Sequence, residues 1–318
     1  MIELLVSMIV ASLIITPLLF FVVDVLNTDV EEQAKTNSEQ ELQAALTYIA
    51  NDLQKSVYVY DRTGIEEIKD QLPPETDADA GDKDTKIPVL VFWKQDIVER
   101  ALPVNTRNAD LDNEHCTKKD GDGFVNDCDN AAVYSLVAYY LILNDNEDDG
   151  KVWEGNARIG RFEIRDGVRN PAEYYQEYVS SDKVSKAKRD DGFALFDISS
   201  NVQGTFEQKM EAWTKDADET YQEDVNVLLD YISEAGKELG GDEECKEQLG
   251  QGSTGSAELV GNDATGFYAC VDSTKNVAKV FITGDTYSRM GNKDAEYKAN
   301  AFFPQISVTI QGRGSLGQ

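Results

Sequence analysis

Residues 2–26 read IELLVSMIVASLIITPLLFFVVDVL, an almost unbroken apolar run with a glutamate at position 3. About 20 such residues span a bilayer as one helix. A carboxylate at the start of such a run is costly and needs a partner or a proton. The pattern then changes without a break. From Asn27 to about Tyr58 the chain is polar, yet Leu42, Leu46, Ile49 and Leu53 recur at spacings of four, three and four. That periodicity places them on one helical stripe. The two halves predict a single helix over 1–58, on the order of 80 Å long at the standard rise. Its first part, 1–26, suits an apolar surrounding such as a membrane. Its second part lays the stripe against a globular head over 59–318.

Downstream the period shortens. Residues 71–87, QLPPETDADAGDKDTKI, read as a loop rich in Pro, Asp and Gly. Pro88–Trp93, Ala131–Leu143, Lys279–Ile282 and Ile306–Ile310 are rich in Val, Ile and aromatic residues and predict strands. Lys151–Ile164 follows the turn NDNEDDG and completes a hairpin with Ala131–Leu143. Residues 170–183 and 205–249 read as helical, with Met210, Trp213, Val225, Leu228, Leu229, Tyr231 and Ile232 as apolar faces amid many carboxylates. The stretch 205–260 is therefore expected to be an acidic helical insertion, ending in a loose Gly250–Ser256 segment. Strands following one long helix predict an α+β fold, with an antiparallel sheet packed on the helix.

Composition narrows the function classes. The 318 residues carry a formal charge of -29. Such a surface repels phosphate backbones, so no nucleic-acid partner is expected. Four cysteines, Cys116, Cys128, Cys245 and Cys270, lack the short paired spacing of a zinc site. Outside the cytoplasm they predict two disulfides. Sequence alone leaves the pairing open, and proximity along the chain favours Cys116–Cys128 and Cys245–Cys270. His115 is the single histidine, beside Cys116 in a polar loop, which is poor geometry for a nucleophile and its base. With no phosphate-binding glycine loop either, the chain is expected not to be an enzyme. Two acidic loops present oxygen ligands of the kind calcium takes: Asp120, Asp122, Asn126 and Asp127 in one, Asp145, Glu147 and Asp149 in the other. Neither completes an EF-hand, since Lys118 and Asn156 fall where carboxylates belong. Solvated turns are the commoner explanation of such loops, and calcium is the one cofactor considered.

The N-terminal run is not an ordinary signal peptide. No Lys or Arg precedes Lys35, and Glu3 stands where positive charge belongs. A plain anchor explains the length but gives the glutamate no role. Ile2-Glu3-Leu4-Leu5-Val6-Ser7 resembles the N-terminus of mature type IV pilins and pseudopilins. In that family a phenylalanine, a threonine and two apolar residues precede the glutamate, which is normally the fifth residue after cleavage by prepilin peptidase. Here it is third, so the resemblance implies that the sequence starts two residues inside the mature chain. It also implies that Glu3 pairs with the free N-terminal amine of a neighbouring subunit, with Leu4, Leu5, Val10, Leu13 and Pro17 in the assembly surface. Pro17 removes a helical hydrogen bond, which fits either a loosened helix or a simple kink. Gln43–Leu53 is similar to the minor pseudopilins related to the type II secretion J subunit and the pilus W subunit. Together with 155–162 and 302–314, it resembles pseudopilins of cyanobacterial hormogonium polysaccharide secretion.

The expected function is thus a structural subunit, a pilin or minor pseudopilin, of a type IV pilus-like filament for motility, adhesion or secretion. The resemblance implies other pilin or pseudopilin subunits, an inner-membrane assembly platform and prepilin peptidase as partners. It places the chain in a bacterial inner membrane and then in a periplasmic or extracellular filament. The rival is a membrane-anchored acidic ectodomain that captures calcium or a glycan.

Overall fold

A computed structural model of the chain describes residues 2–74, 84–103, 119–120, 123–124, 128–144, 152–169, 178, 188–195, 203–250 and 256–313. The fold is α+β: a long N-terminal helix followed by a head of antiparallel sheets. Helix α1, Ile2–Leu53, runs for 52 residues and stays helical through Pro17. It stops short of Tyr58, because Ser56–Val59 is extended and forms β1, fully buried. The β-branched and aromatic run Val57-Tyr58-Val59 favours a strand, and a sheet edge is there to receive it.

The main sheet has the order β1-β2-β5-β6-β7. Its strands after β1 are β2 (Thr85–Pro103), β5 (Cys128–Leu143), β6 (Ala157–Arg165) and β7 (Asn226–Ile232). A two-stranded hairpin, β3 (Lys119–Asp120) with β4 (Gly123–Phe124), lies between β2 and β5 in the chain. The second sheet is β11 (Gln305–Gln311), β10 (Val277–Thr283), β9 (Phe267–Asp272) and β8 (Ala257–Gly261), in that order. Neighbouring strands are antiparallel throughout. Strand β5 is central, and Leu136–Ile142 is buried on both faces. This is why the segment reads as continuous apolar sequence rather than an alternation. Strand β2 extends well beyond the PVLVFW core, with register shifts at Pro88/Leu90 and Val98/Leu102. Proline cannot donate to a ladder, which suits a bulge beside Pro88. An isolated bridge from Ile232 to Gly284 joins the two sheets.

The expected acidic helical insertion is corrected. Among the described residues of 205–260, only α3 (Phe206–Glu211) and α4 (Asp242–Gln248) are helical. Thr205 caps α3 through a capping box with Gln208. The middle of the segment is β7, whose Leu229 and Ile232 pair with Ile159 and Ala157 of β6. Val225, Leu228, Leu229 and Ile232 satisfy a helical spacing, but a free sheet edge and the β-branched and aromatic members of NVLLDYI decide for strand. The helix expected over 170–183 is also not supported where it is described. Tyr178 bridges Arg169 in an antiparallel pair; the rest of that stretch lies outside the described residues.

The core joins both sheets and α1. Ala34, Ser38, Leu42, Ala45, Leu46, Ile49 and Leu53 are buried along one face of the helix. That face packs on β7, β10, β11 and α5 (Thr286–Arg289). A Cβ on Gly284 would meet Leu42 Cδ1 at 3.0 Å, so the helix approaches the end of β10 as closely as a glycine permits. A disulfide between Cys245 and Cys270 ties α4 to β9. A further short helix, α2 (Arg62–Ile68), is capped by Asp61.

Candidate functional site

The candidate site is α1 itself, a rod whose outer part is uncovered and whose inner part is seated on the head. From Val6 to Gln33 every residue is exposed. Leu13 and Phe20 expose 69% and 73% of their surface. A helix that is apolar all round needs a membrane or other protein around it. Among the described residues it is the one helix long and apolar enough to cross a membrane. Three of its hydroxyl side chains turn inward on the helix. Ser7 Oγ donates to the Glu3 carbonyl at 2.8 Å, Ser12 Oγ to Ile9 at 3.1 Å and Thr28 Oγ1 to Asp24 at 3.0 Å. Such back-bonding satisfies a hydroxyl where no water is available. Residues 4–23 carry no charge, which corresponds to roughly 30 Å of helix, the thickness of a hydrocarbon core.

The expected site residues fall as follows. Glu3 lies in the first turn and is exposed. Leu4 and Leu5 lie in the helix. Val10 and Leu13 are exposed on it, and Pro17 is inside it. Asp120 lies in β3. The other proposed calcium ligands, Asp122, Asn126, Asp127, Asp145, Glu147 and Asp149, lie outside the described residues, as do His115 and Cys116. Among the described residues no group of three or more His, Cys, Asp or Glu is arranged to hold a metal. Cys128 is disulfide-bonded.

The seat of the helix contains a charge cluster that sequence reading missed. At the end of α1, Asp52 accepts from Lys94 Nζ at 3.2 Å, the Tyr139 hydroxyl at 2.8 Å and Arg161 Nε at 2.8 Å. Lys94 also pairs with Asp96 at 3.2 Å and Glu163 at 2.9 Å. Arg161 pairs with Glu163, and Lys55 with Asp96 at 2.8 Å. Three carboxylates thus face three cations in a chain that is otherwise strongly acidic. Only 4% of Lys94 is exposed. Burial works against its charge, but Glu163, Asp52 and Asp96 outweigh burial and hold its pKa above the ordinary value. Burial opposes the charge on Glu163 and Asp96 as well. The cations beside them win, and both carboxyls lie below their usual range. Burial, then the Asp52 charge, push the Tyr139 phenol far up, so it remains a donor.

Signals for this cluster were present in the sequence. Lys94 ends an otherwise apolar strand core, Arg161 and Glu163 are two apart and share one face of β6, and Asp52 precedes the last residue of the stripe. A buried charge predicts a partner, but only the folded topology brings partners from α1, β2, β5 and β6 together. No protein-family model, curated protein or solved structure matches this chain.

Proposed function

We propose that the chain is a non-enzymatic pilin-like or pseudopilin subunit. Its outer helix waits in the inner membrane and then packs into a filament core, while its acidic head faces the periplasm or the exterior. The observation that carries this reading is the continuity of α1: an uncovered outer rod, uncharged over residues 4–23, becomes, without a break, a stripe seated on the head. A plain anchor needs no such stiff coupling between its membrane segment and its head. The resemblance at residues 2–7 gives Glu3 its role, pairing with a neighbour's N-terminal amine, so that a misplaced subunit leaves a charge unpaired. The partners in this reading are other pilin or pseudopilin subunits, an assembly platform and prepilin peptidase. The size of the head favours a minor or tip subunit.

The test is incorporation into filaments. Glu3→Leu is expected to remain in the membrane yet fail to enter filaments, and Val10→Cys and Leu13→Cys are expected to crosslink between subunits. Unchanged incorporation of Glu3→Leu removes the register role. Monomers without crosslinks remove the filament altogether.

A further inference from the structure

The second sheet has one open edge and one closed edge. Its registers and hydrogen bonds fix which way each strand turns its backbone. Thr283 N–H donates to the Gly266 carbonyl at 2.7 Å, and Gly312 N–H to the Asn276 carbonyl at 2.9 Å. Both bonds continue the registers of β10 with β9 and with β11. Bonded positions alternate along an antiparallel ladder. Ile306, Val308 and Ile310 therefore bond inward to β10, while Gln305, Ser307, Thr309 and Gln311 turn their N–H and C=O groups outward. These four residues are exposed, and among the described residues nothing bonds their outward backbone groups. The opposite edge strand, β8, is shut. Leu259 N–H donates to Asp242 at 2.8 Å, its carbonyl accepts from Arg62 at 3.4 Å, and Arg62 pairs with Asp242 at 2.9 Å. Exposed edges are usually blunted by charge, proline or a bulge. Strand β11 contains none of these. Its register with β10 is unbroken, and no charged residue stands between Lys298 and Arg313 in a chain that is 28% charged.

We infer that the outer edge of β11 docks the β11 of a second copy, antiparallel about a two-fold axis at Val308. The sequence of the strand selects this occupant. QISVTIQ reads QITVSIQ in reverse. A two-fold at Val308 therefore sets Gln305 opposite Gln311, Ser307 opposite Thr309 and Ile306 opposite Ile310, with Val308 facing its own copy. Every outward-turned residue then meets another, which makes these the hydrogen-bonded pairs of the new ladder. Gln, Ser and Thr side chains meet on the solvent face, where such pairs bond to one another. Ile306 and Val308, half-buried in the single chain, gain cover on the other face. No like charges come together, and a two-fold contact closes on itself. Pairing β11 with β8 of a further copy would instead build an open row of sheets, and the Arg62–Asp242 pair blocks it. Strand β11 runs beside α1 in the same direction: Lys35 lies 4.2 Å over the Phe302 ring before the strand, and Ser56, past the helix, accepts from Arg313 N–H at 2.9 Å. The two-fold thus points the two rods in opposite directions. The contact does not rest on the filament reading; within that reading it joins two antiparallel filaments, not neighbours in one.

The experiment uses the full chain in detergent micelles, with its mass followed by sedimentation up to about 0.3 mM, a range that reaches weak contacts of small area. A reversible dimer is expected. Ser307→Cys mixed with Thr309→Cys should crosslink on mild oxidation, because opposite Cα atoms about 5.5 Å apart suit a disulfide. Either variant alone should crosslink far more slowly, since like positions sit diagonally. Ser307→Lys with Thr309→Lys in one chain sets like charges opposite and should weaken the dimer by about tenfold. Adding copies that carry Ser307→Glu with Thr309→Glu should restore pairing between the two kinds of chain. The thermal transition of each variant checks that it folds. Ser307→Pro is a second block: its N–H is not used by β10, so the ladder within the head stays intact. The inference is overturned if the native chain stays monomeric, or if Ser307→Cys alone crosslinks as fast as the mixture. It is also overturned if dimers survive the paired Lys substitutions and Ser307→Pro, which would mean that the rods hold them.

Discussion

Replacing Lys94 by Met tests whether the charge cluster holds α1 on the head. The ammonium lies 2.9 to 3.2 Å from Glu163, Asp52 and Asp96. At an effective dielectric near 20, each contact is worth roughly 5 kcal/mol before solvation is counted. Desolvation of the buried ammonium offsets most of that sum. Removing one partner of such a cluster still costs about 3–5 kcal/mol, because the remaining charges are left uncompensated. Glu163 and Asp96 keep about a quarter of their side-chain exposure, so water screens part of the loss and the low end, about 3 kcal/mol, is expected. For a chain of this length that lowers the thermal midpoint by about 4.5 °C. The assay is thermal unfolding of the full chain in micelles, with hydrogen exchange over residues 42–53 as a local readout. Adding Glu163→Gln restores charge balance and should recover part of the loss. A midpoint shift below about 2 °C, or no recovery in the double variant, refutes the idea that paired charges seat the helix.

The pH profile follows from opposing groups. Asp166, Asp190 and Asp285 have pKa values raised by burial, so the folded state binds their protons more readily and stability rises as pH falls from neutrality toward the ordinary carboxylate range. Glu163 and Asp96 lie below their ordinary values; their contribution is complete above those values and is lost as pH falls through the depressed ones. A stability maximum on the mildly acid side is expected in denaturant titrations, and Lys94→Met should flatten its acid limb. Reducing Cys245–Cys270 opens a link between residues 25 apart and should cost about 2–4 kcal/mol, read as a lower denaturation midpoint in reductant. Gly284→Val places new atoms against Leu42 and should cost about 1–3 kcal/mol while speeding exchange in the inner helix.

The parts of the fold legible in the sequence are those with a single dominant period. Leu42, Leu46, Ile49 and Leu53 mark the seated face of α1 because nothing competes with a helix there. The β5 run is legible because a strand buried on both faces must be apolar throughout. Strand β7 misleads because Val225, Leu228, Leu229 and Ile232 fit a helix by spacing, and the deciding term, a free edge on β6, lies far away in sequence. Strands β8 and β9 are hidden for a related reason: Ala257–Gly261 is short, follows a Gly- and Ser-rich sequence and falls within the expected insertion, and Phe267–Asp272 is stabilised by pairing with β8 and β10. The candidate site divides along the same line. Its outer rod is plain from composition. Its charge cluster depends on contacts between residues about 40 to 110 positions apart, as in Asp52 to Lys94 and Asp52 to Arg161.

Apolar packing and paired charge have different parts in seating the helix. The stripe on α1 repeats about every four residues, so a slide of one turn would put Leu46 near the place of Leu42 and Ile49 near the place of Leu46, at small cost in buried area. The charge cluster has no such near-repeat. The same slide carries Asp52 about 5.4 Å along the axis, away from Lys94, Arg161 and Tyr139, and leaves several buried charges unpaired. The stripe therefore supplies most of the attraction, and Asp52 sets the position at which the helix is held. In the proposed assembly, the outer rod stands in the same relation to Glu3. An uncharged helical surface packs on its neighbours with little preference for height, and one carboxylate near its end discriminates among heights because only one of them pairs it. A helix fixed on its own head at Asp52 and among its neighbours at Glu3 leaves the head no freedom to slide along the filament axis. Loosening the seat at Asp52 should therefore disorder head positions in a filament without abolishing the apolar association that holds the rods together, whereas losing Glu3 keeps the subunit out of the filament.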